Sequence, residues 1–225
     1  MVDLKNTDTA NLWYIVGLIA TDGNLSPDGR HICITSKDID FLEDIRDVLG
    51  INAKIGRKSS GIERIKKYGI LQFSDVSFYR YLIKIGLTPR KSLTIGELLV
   101  PKKHFADFVR GVIDGDGNIS YWIHSTNKHE QWSLRIVSGS FTFIDWLAHA
   151  ITKHFKVTGR VHMVLSERKN PLYLVKFGKV ATKIILNLTY YPNCLGLKRK
   201  KLKATKCLTS ENGWNRYQNM RAFNN

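Results

Sequence analysis

Acidic residues are scarce in this chain. Nineteen Asp and Glu face thirty-five Lys and Arg across 225 residues, a formal net charge of +16. That imbalance implies a polyanionic partner, with nucleic acid the first candidate and an acidic membrane surface the second. No apolar run reaches the roughly 18 residues of a membrane span, and Met1-Val2-Asp3-Leu4-Lys5 does not open a secretory signal. The expectation is an intracellular, non-secreted protein. The three cysteines, Cys33, Cys194 and Cys207, share no C-x-x-C spacing. This argues against a zinc cluster or a disulfide framework and leaves buried thiols. The seven histidines form no HExxH, and His149 and His154 stand at the wrong offset for one helix face. All seven read as structural or DNA-facing.

What is present is a repeat. Thr21-Asp22-Gly23-Asn24-Leu25-Ser26 returns as Gly115-Asp116-Gly117-Asn118-Ile119-Ser120. Each copy closes an apolar run of helical period, Leu12 to Ile19 and Phe105 to Ile113. The duplication continues through strands at 30–35 and 134–137, each followed by a helix. Ser36 and Ser138 both precede by five residues the Phe that opens its apolar stripe. Strand pairs at 53–58 and 68–73, and at 158–165 and 172–177, lead to helices at 76–85 and 180–188. The pattern reads as α+β, two tandem αββαββα halves. The halves span 1–87 and 103–209, with a connector at 88–102 and a polar tail at 210–225.

The motif helices carry the chemistry. Gly17 and Gly111 sit mid-helix, each five residues before its Asp. A mid-helix glycine costs about 1 kcal/mol relative to alanine, which close approach of two helices would offset. Paired side by side, the helices would bring Asp22 and Asp116 together at two negative dipole ends. A divalent cation relieves that arrangement, and hard oxygen ligands suit Mg2+. Gly23 and Gly117 are expected to supply a left-handed turn at each helix end.

These residues resemble the LAGLIDADG homing endonucleases, of the single-chain, two-motif, pseudo-symmetric type. The first motif is Ile15-Val16-Gly17-Leu18-Ile19-Ala20-Thr21-Asp22-Gly23 and the second Val109-Arg110-Gly111-Val112-Ile113-Asp114-Gly115-Asp116-Gly117. Ala20 departs from the consensus acid that Asp114 keeps, at a position that is not the metal ligand in the family. The resemblance implies a monomer with antiparallel sheets in the DNA major groove and motif helices at the interface between halves. Both strands would be cut across the minor groove of a long, asymmetric site. Asp22 and Asp116 would bind Mg2+, with Thr21 and Gly115 beside them. Mn2+ would substitute, and Ca2+ would support binding without cleavage.

Lys91 and Lys200 match the family's lysine near the scissile phosphate. The second copy is one residue shorter, which keeps Lys198 open. Ser36 and Ser138 match positions that order active-site water; a helix-capping role is the alternative. DNA contacts are expected from Arg30, Lys54, Arg57, Lys58, Arg64 and Lys66 in the first half. In the second half they are Gln131, Arg135, Arg160, His162, Arg168 and Lys176. Tyr68, Trp122 and Trp132 read as sheet packing. Double-stranded DNA is the expected partner and intron RNA a second candidate. A maturase or a non-cleaving DNA-binding protein on the same fold is the rival reading.

Overall fold

Local signals start and stop the elements. Thr9 accepts a hydrogen bond from Leu12 N at 3.2 Å and so caps the first helix, α1 (Ala10–Thr21). The computed structural model describes Val2 and residues 9–59, 68–165 and 170–210. After α1 come β1 (Gly23–Leu25), β2 (His31–Ser36), α2 (Ile39–Val48), β3 (Ile55–Lys58), β4 (Tyr68–Ser74) and α3 (Val76–Lys84). The second repeat runs α4 (Phe105–Asp116), β5 (Gly117–Ile123), β6 (Glu130–Ser138), α5 (Phe141–Phe155), β7 (Arg160–Val164), β8 (Leu172–Phe177) and α6 (Lys179–Thr189). The αββαββα order holds twice. Gly50 and Lys156, just past α2 and α5, adopt positive φ of 61° and 58°, as helix stops do.

Each repeat forms one four-stranded antiparallel sheet, ordered β1-β2-β4-β3 and β5-β6-β8-β7. Alternation along the strands decides the faces. Ile32, Ile34, Leu71 and Phe73 turn to the helices in the first sheet, as do Trp132, Leu134, Ile136, Val175 and Phe177 in the second. The opposite face of each sheet is polar or mixed.

The motif helices are the centre of the molecule. Every residue of α1 from Leu12 to Ala20 is buried, so this helix has no solvent face. It packs along α4. The connector between repeats also packs down: Ile95 and Leu98 are buried, and Leu99 N donates to Ile85 O at 2.9 Å. No helix among the described residues is long and apolar enough to cross a membrane.

A further helix, α7 (Lys198–Thr209), closes the second repeat and buries Lys200, Ala204 and Cys207 on one face. One expectation needs correction. Gly23 and Gly117 make no left-handed turn. Gly117 has φ −82° and ψ 149°, and neither glycine is among the positive-φ residues. Both begin strands, and their smallness matters because a Cβ at either would stand 2.6 Å from the Cα of Ile19 or Ile113. The chain leaves each helix directly into a strand, with no room for a side chain under the turn.

Candidate functional site

Close approach of the motif helices is reciprocal. A Cβ at Gly17 would fall on Phe108 O and 3.1 Å from Val112 N; one at Gly111 would fall on Tyr14 O and 2.8 Å from Leu18 N. Each glycine thus lies against the other helix's backbone. At the C-terminal tips a Cβ at Gly115 would fall on Thr21 Oγ1 and 3.5 Å from Asp22 Oδ2. The Asp22 carboxylate therefore rests against the tip of α4, one residue from Asp116.

The two carboxyls interact electrostatically. Burial, then the Asp22 charge, push Asp116 up to about 6, against the pull of Lys91 and Lys200. Burial also raises Asp22, opposed by Lys200, Lys91 and Arg199. Both side chains remain open to solvent at the mouth of the site.

The lysines repeat the symmetry. Lys91 Nζ donates to Gly23 O at 2.6 Å and to Thr21 O at 3.3 Å, under the tip of α1. Lys200 Nζ donates to Ile113 O at 3.0 Å and to Gly117 O, under the tip of α4. Each ammonium sits at the negative end of one motif helix. Burial lowers both to about 8, while the nearby Asp residues raise them. Lys198 does not share this place. It is exposed and 3.5 Å from Asp40 Oδ2, so Lys200 is the counterpart of Lys91.

The remaining predicted residues divide. Ser36 Oγ accepts from Asp38 N, and Ser138 Oγ from Ser140 N, both at 3.1 Å. Neither is a helix cap; Ser140 caps α5, accepting from Phe143 N at 3.4 Å. Ser36 lines an open cleft of about 610 Å3 that also holds Asp22 and Arg199. Thr21 Oγ1 turns back to Leu18 O at 3.0 Å and Gly17 O at 3.2 Å, so its hydroxyl serves the helix. Arg64, Lys66 and Arg168 lie outside the described residues, as does the tail from 211.

Sequence reasoning missed two groups. Arg199, held by Asp38 at 3.3 Å, brings a guanidinium into the Asp22 cleft. Asp114 is fully buried and accepts from Tyr14 Oη at 2.7 Å, Tyr190 Oη at 2.6 Å and Leu197 N at 2.8 Å. It ties α1, α4 and the approach to α7 together, which explains an acid there without a ligand role. Nothing in periodicity announces either group, since the partners are 76 to 161 residues apart.

On the sheets, strand register sorts the predicted contacts. Arg135, Lys176, Arg160, His162 and Gln131 all lie on the outward face of the second sheet. On the first sheet Lys58 does too, and Lys54, just before β3, is exposed. Arg57 is instead on the helix side, opposite Gly69, and is exposed because β3 is an edge strand. Arg30 precedes β2 in the same phase as Ile32 and stands 3.9 Å from Asp28. Trp132 packs in the core, but Trp122 and Tyr68 are on the outward faces, Trp122 with 41% of its surface exposed.

A cation fits the tips on charge grounds. Two crowded carboxyls with raised pKa gain from a divalent ion, which favours their ionised form. Among the described residues no group of three or more His, Cys, Asp or Glu side chains comes together. Asp22 and Asp116 would be the acidic ligands of such an ion, hard oxygen donors of the kind that suit a divalent cation.

Residues 9–86 match the family model of a LAGLIDADG-like domain. No curated protein matches the sequence. Among solved structures, the homing endonuclease I-DmoI in complex with DNA and Ca is similar at 18% identity and a TM-score of 0.57, over 86% of this chain and 97% of that one. I-WcaI, a homing endonuclease bound to its DNA recognition sequence, is similar at 12% identity and 0.59, over 87% and 85%. The N-terminal LAGLIDADG domain of DUF199/WhiA is similar at 14% identity and 0.54, over 86% of each chain. Such identities speak for the fold. The first repeat thus matches a LAGLIDADG-like domain, and the molecule as a whole shares the fold of these structures.

Proposed function

We propose that the chain is a site-specific, divalent-metal-dependent DNA endonuclease that cuts both strands of a long, asymmetric duplex site. The observation that carries this reading is the Asp22–Asp116 pair, one carboxylate from the tip of each duplicated helix, each feeling the charge of Lys91 and Lys200. The fold alone does not choose, since it is similar both to homing endonucleases and to DUF199/WhiA. A non-cleaving protein has no need for two neighbouring carboxyls, one of which burial and then the other's charge push up to about 6.

A bound divalent ion would supply an activated water and charge neutralisation at the phosphorus. The protein's own residues do the rest. Asp22 and Asp116 would hold the cation. Lys91 and Lys200, fixed by backbone carbonyls and mostly protonated at neutral pH, add positive potential where negative charge grows. Ser36 and Arg199 line the same cleft as Asp22, where they would meet a phosphate. The outward sheet faces lie along the major groove, with Arg160, Lys176 and Lys58 among their contacts. Mg2+ is the working ion, with Mn2+ an effective substitute.

The test is direct. Asp22→Asn and Asp116→Asn should each abolish double-strand cleavage in Mg2+ while DNA binding in Ca2+ persists. Wild-type cleavage by either variant would falsify the assignment.

A further inference from the structure

Cross-strand register fixes which residues stand side by side on the outward face of each sheet. In the first sheet Asn24, Cys33 and Gln72 form a row across β1, β2 and β4. In the second, Asn118, Arg135 and Lys176 form a row across β5, β6 and β8. The rows are equivalent, because Gly23 pairs with Ile34 as Gly117 pairs with Ile136. Both end at a cation. Arg160 pairs with Lys176 on β7, and extending the pairing of Ile55 with Leu71 puts Lys54 opposite Gln72. The outer ends of the rows match, but their centres do not. A thiol and a carboxamide stand in one repeat where a guanidinium and an ammonium stand in the other.

The side chains that differ are available. Asn24, Gln72, Asn118, Arg135 and Lys176 make no side-chain hydrogen bond or ion pair among the described residues, and Arg135 Nε is buried without a protein acceptor. Cys33 Sγ has only Thr35 Oγ1, at 3.8 Å. In the major groove, Arg and Lys match the O6 and N7 acceptors of guanine, whereas Asn and Gln match N6 and N7 of adenine. Two identical repeats would call for the same base at symmetry-related positions of the target. These repeats are not identical there.

Resting on the endonuclease reading above, we infer that these two rows select different bases at dyad-related positions of the target, Arg135 and Lys176 setting one choice and Gln72 the other. The second repeat takes guanine, through Arg135 and Lys176. The first takes adenine, through Gln72. Asn118 and Asn24 are common to both repeats and do not discriminate between them; the difference lies in the two central residues of each row.

The experiment is a binding selection. The full chain is incubated with a randomised duplex library in Ca2+, and the bound DNA is sequenced. The selection is repeated with Cys33→Arg/Gln72→Lys, with Gln72→Lys alone, and with Arg135→Gln/Lys176→Gln, each first matched to wild type by circular dichroism. Wild type should return guanine at one position and adenine at its dyad mate. Cys33→Arg/Gln72→Lys should convert the adenine to guanine, and Gln72→Lys alone should shift it in the same direction. Arg135→Gln/Lys176→Gln should lose a guanine preference of roughly tenfold and leave the other half-site unchanged. The same base at both mates in wild type, or no shift in any variant, overturns the inference while leaving the endonuclease reading in place. Recovery of no preferred sequence by wild type overturns the endonuclease reading itself.

Discussion

At Asp116, burial and the neighbouring Asp22 charge hold the carboxyl at about 6 against an ordinary 3.8, although Lys91 and Lys200 pull it down. A carboxyl raised in this way takes up a proton on folding. Its contribution to stability is therefore complete below about pH 4 and is lost as the pH rises through about 6. A divalent cation needs the ionised form and works in the opposite direction. Ca2+ should raise the unfolding temperature at about pH 7.5 and do so progressively less as the pH falls through 6. Scanning fluorimetry with and without Ca2+ measures this, and equal stabilisation at about pH 5 and 7.5 would count against the carboxylate pair as the cation site. Both acids were legible in the sequence because each closes a copy of the repeat. Their lysines were legible only by resemblance. Choosing Lys200 over Lys198 took the fold, which puts one ammonium under the α4 tip and the other out in solvent beside Asp40.

Between elements, the decisive contact is backbone against backbone along α1 and α4. Gly17 and Gly111 have no compliant neighbour, since the atoms a Cβ would meet are carbonyls and amides of the facing helix. Overpacking typically costs about 1–3 kcal/mol when side chains can move aside. Here they cannot, so Gly17→Ala and Gly111→Ala should each lose about 3 kcal/mol or more by denaturant unfolding. Cleavage should fall with stability, because parting the helices parts the carboxylates. A loss below about 1 kcal/mol for both variants would remove close helix approach as the device that builds the site. The matching offset of the two glycines made this contact visible in the sequence. α7 was hidden by its lysines, although Lys200, Ala204 and Cys207 repeat at four and three residues and form its buried face.

For the molecule as a whole, the formal net charge is +16. Binding dominated by phosphate contacts releases counterions, and a protein making about 6–10 such contacts loses roughly 10³–10⁵ in affinity between about 50 and 200 mM salt. Duplex binding in Ca2+, titrated by fluorescence anisotropy across that range, should follow such a slope. A flat response would separate the basic surface from DNA binding. The sheets were legible as alternating segments, but their faces were not, because a one-residue slip reverses every side chain. Register put Arg57 and Arg30 on the helix side and turned Trp122 and Tyr68 outward.

The sequence by itself determined the duplication, the α+β order, the pairing of Gly with Asp in each motif helix and the basic character of the surface. These are local or periodic properties, carried by neighbouring residues and by composition. Only the tertiary structure decided which lysine lies under which helix end, that Asp114 is a buried knot between Tyr14, Tyr190 and Leu197, and that Arg199 reaches the Asp22 cleft. Each of those depends on groups far apart in the chain meeting once the two helices have closed on their glycines, and no spacing along the chain encodes such a meeting.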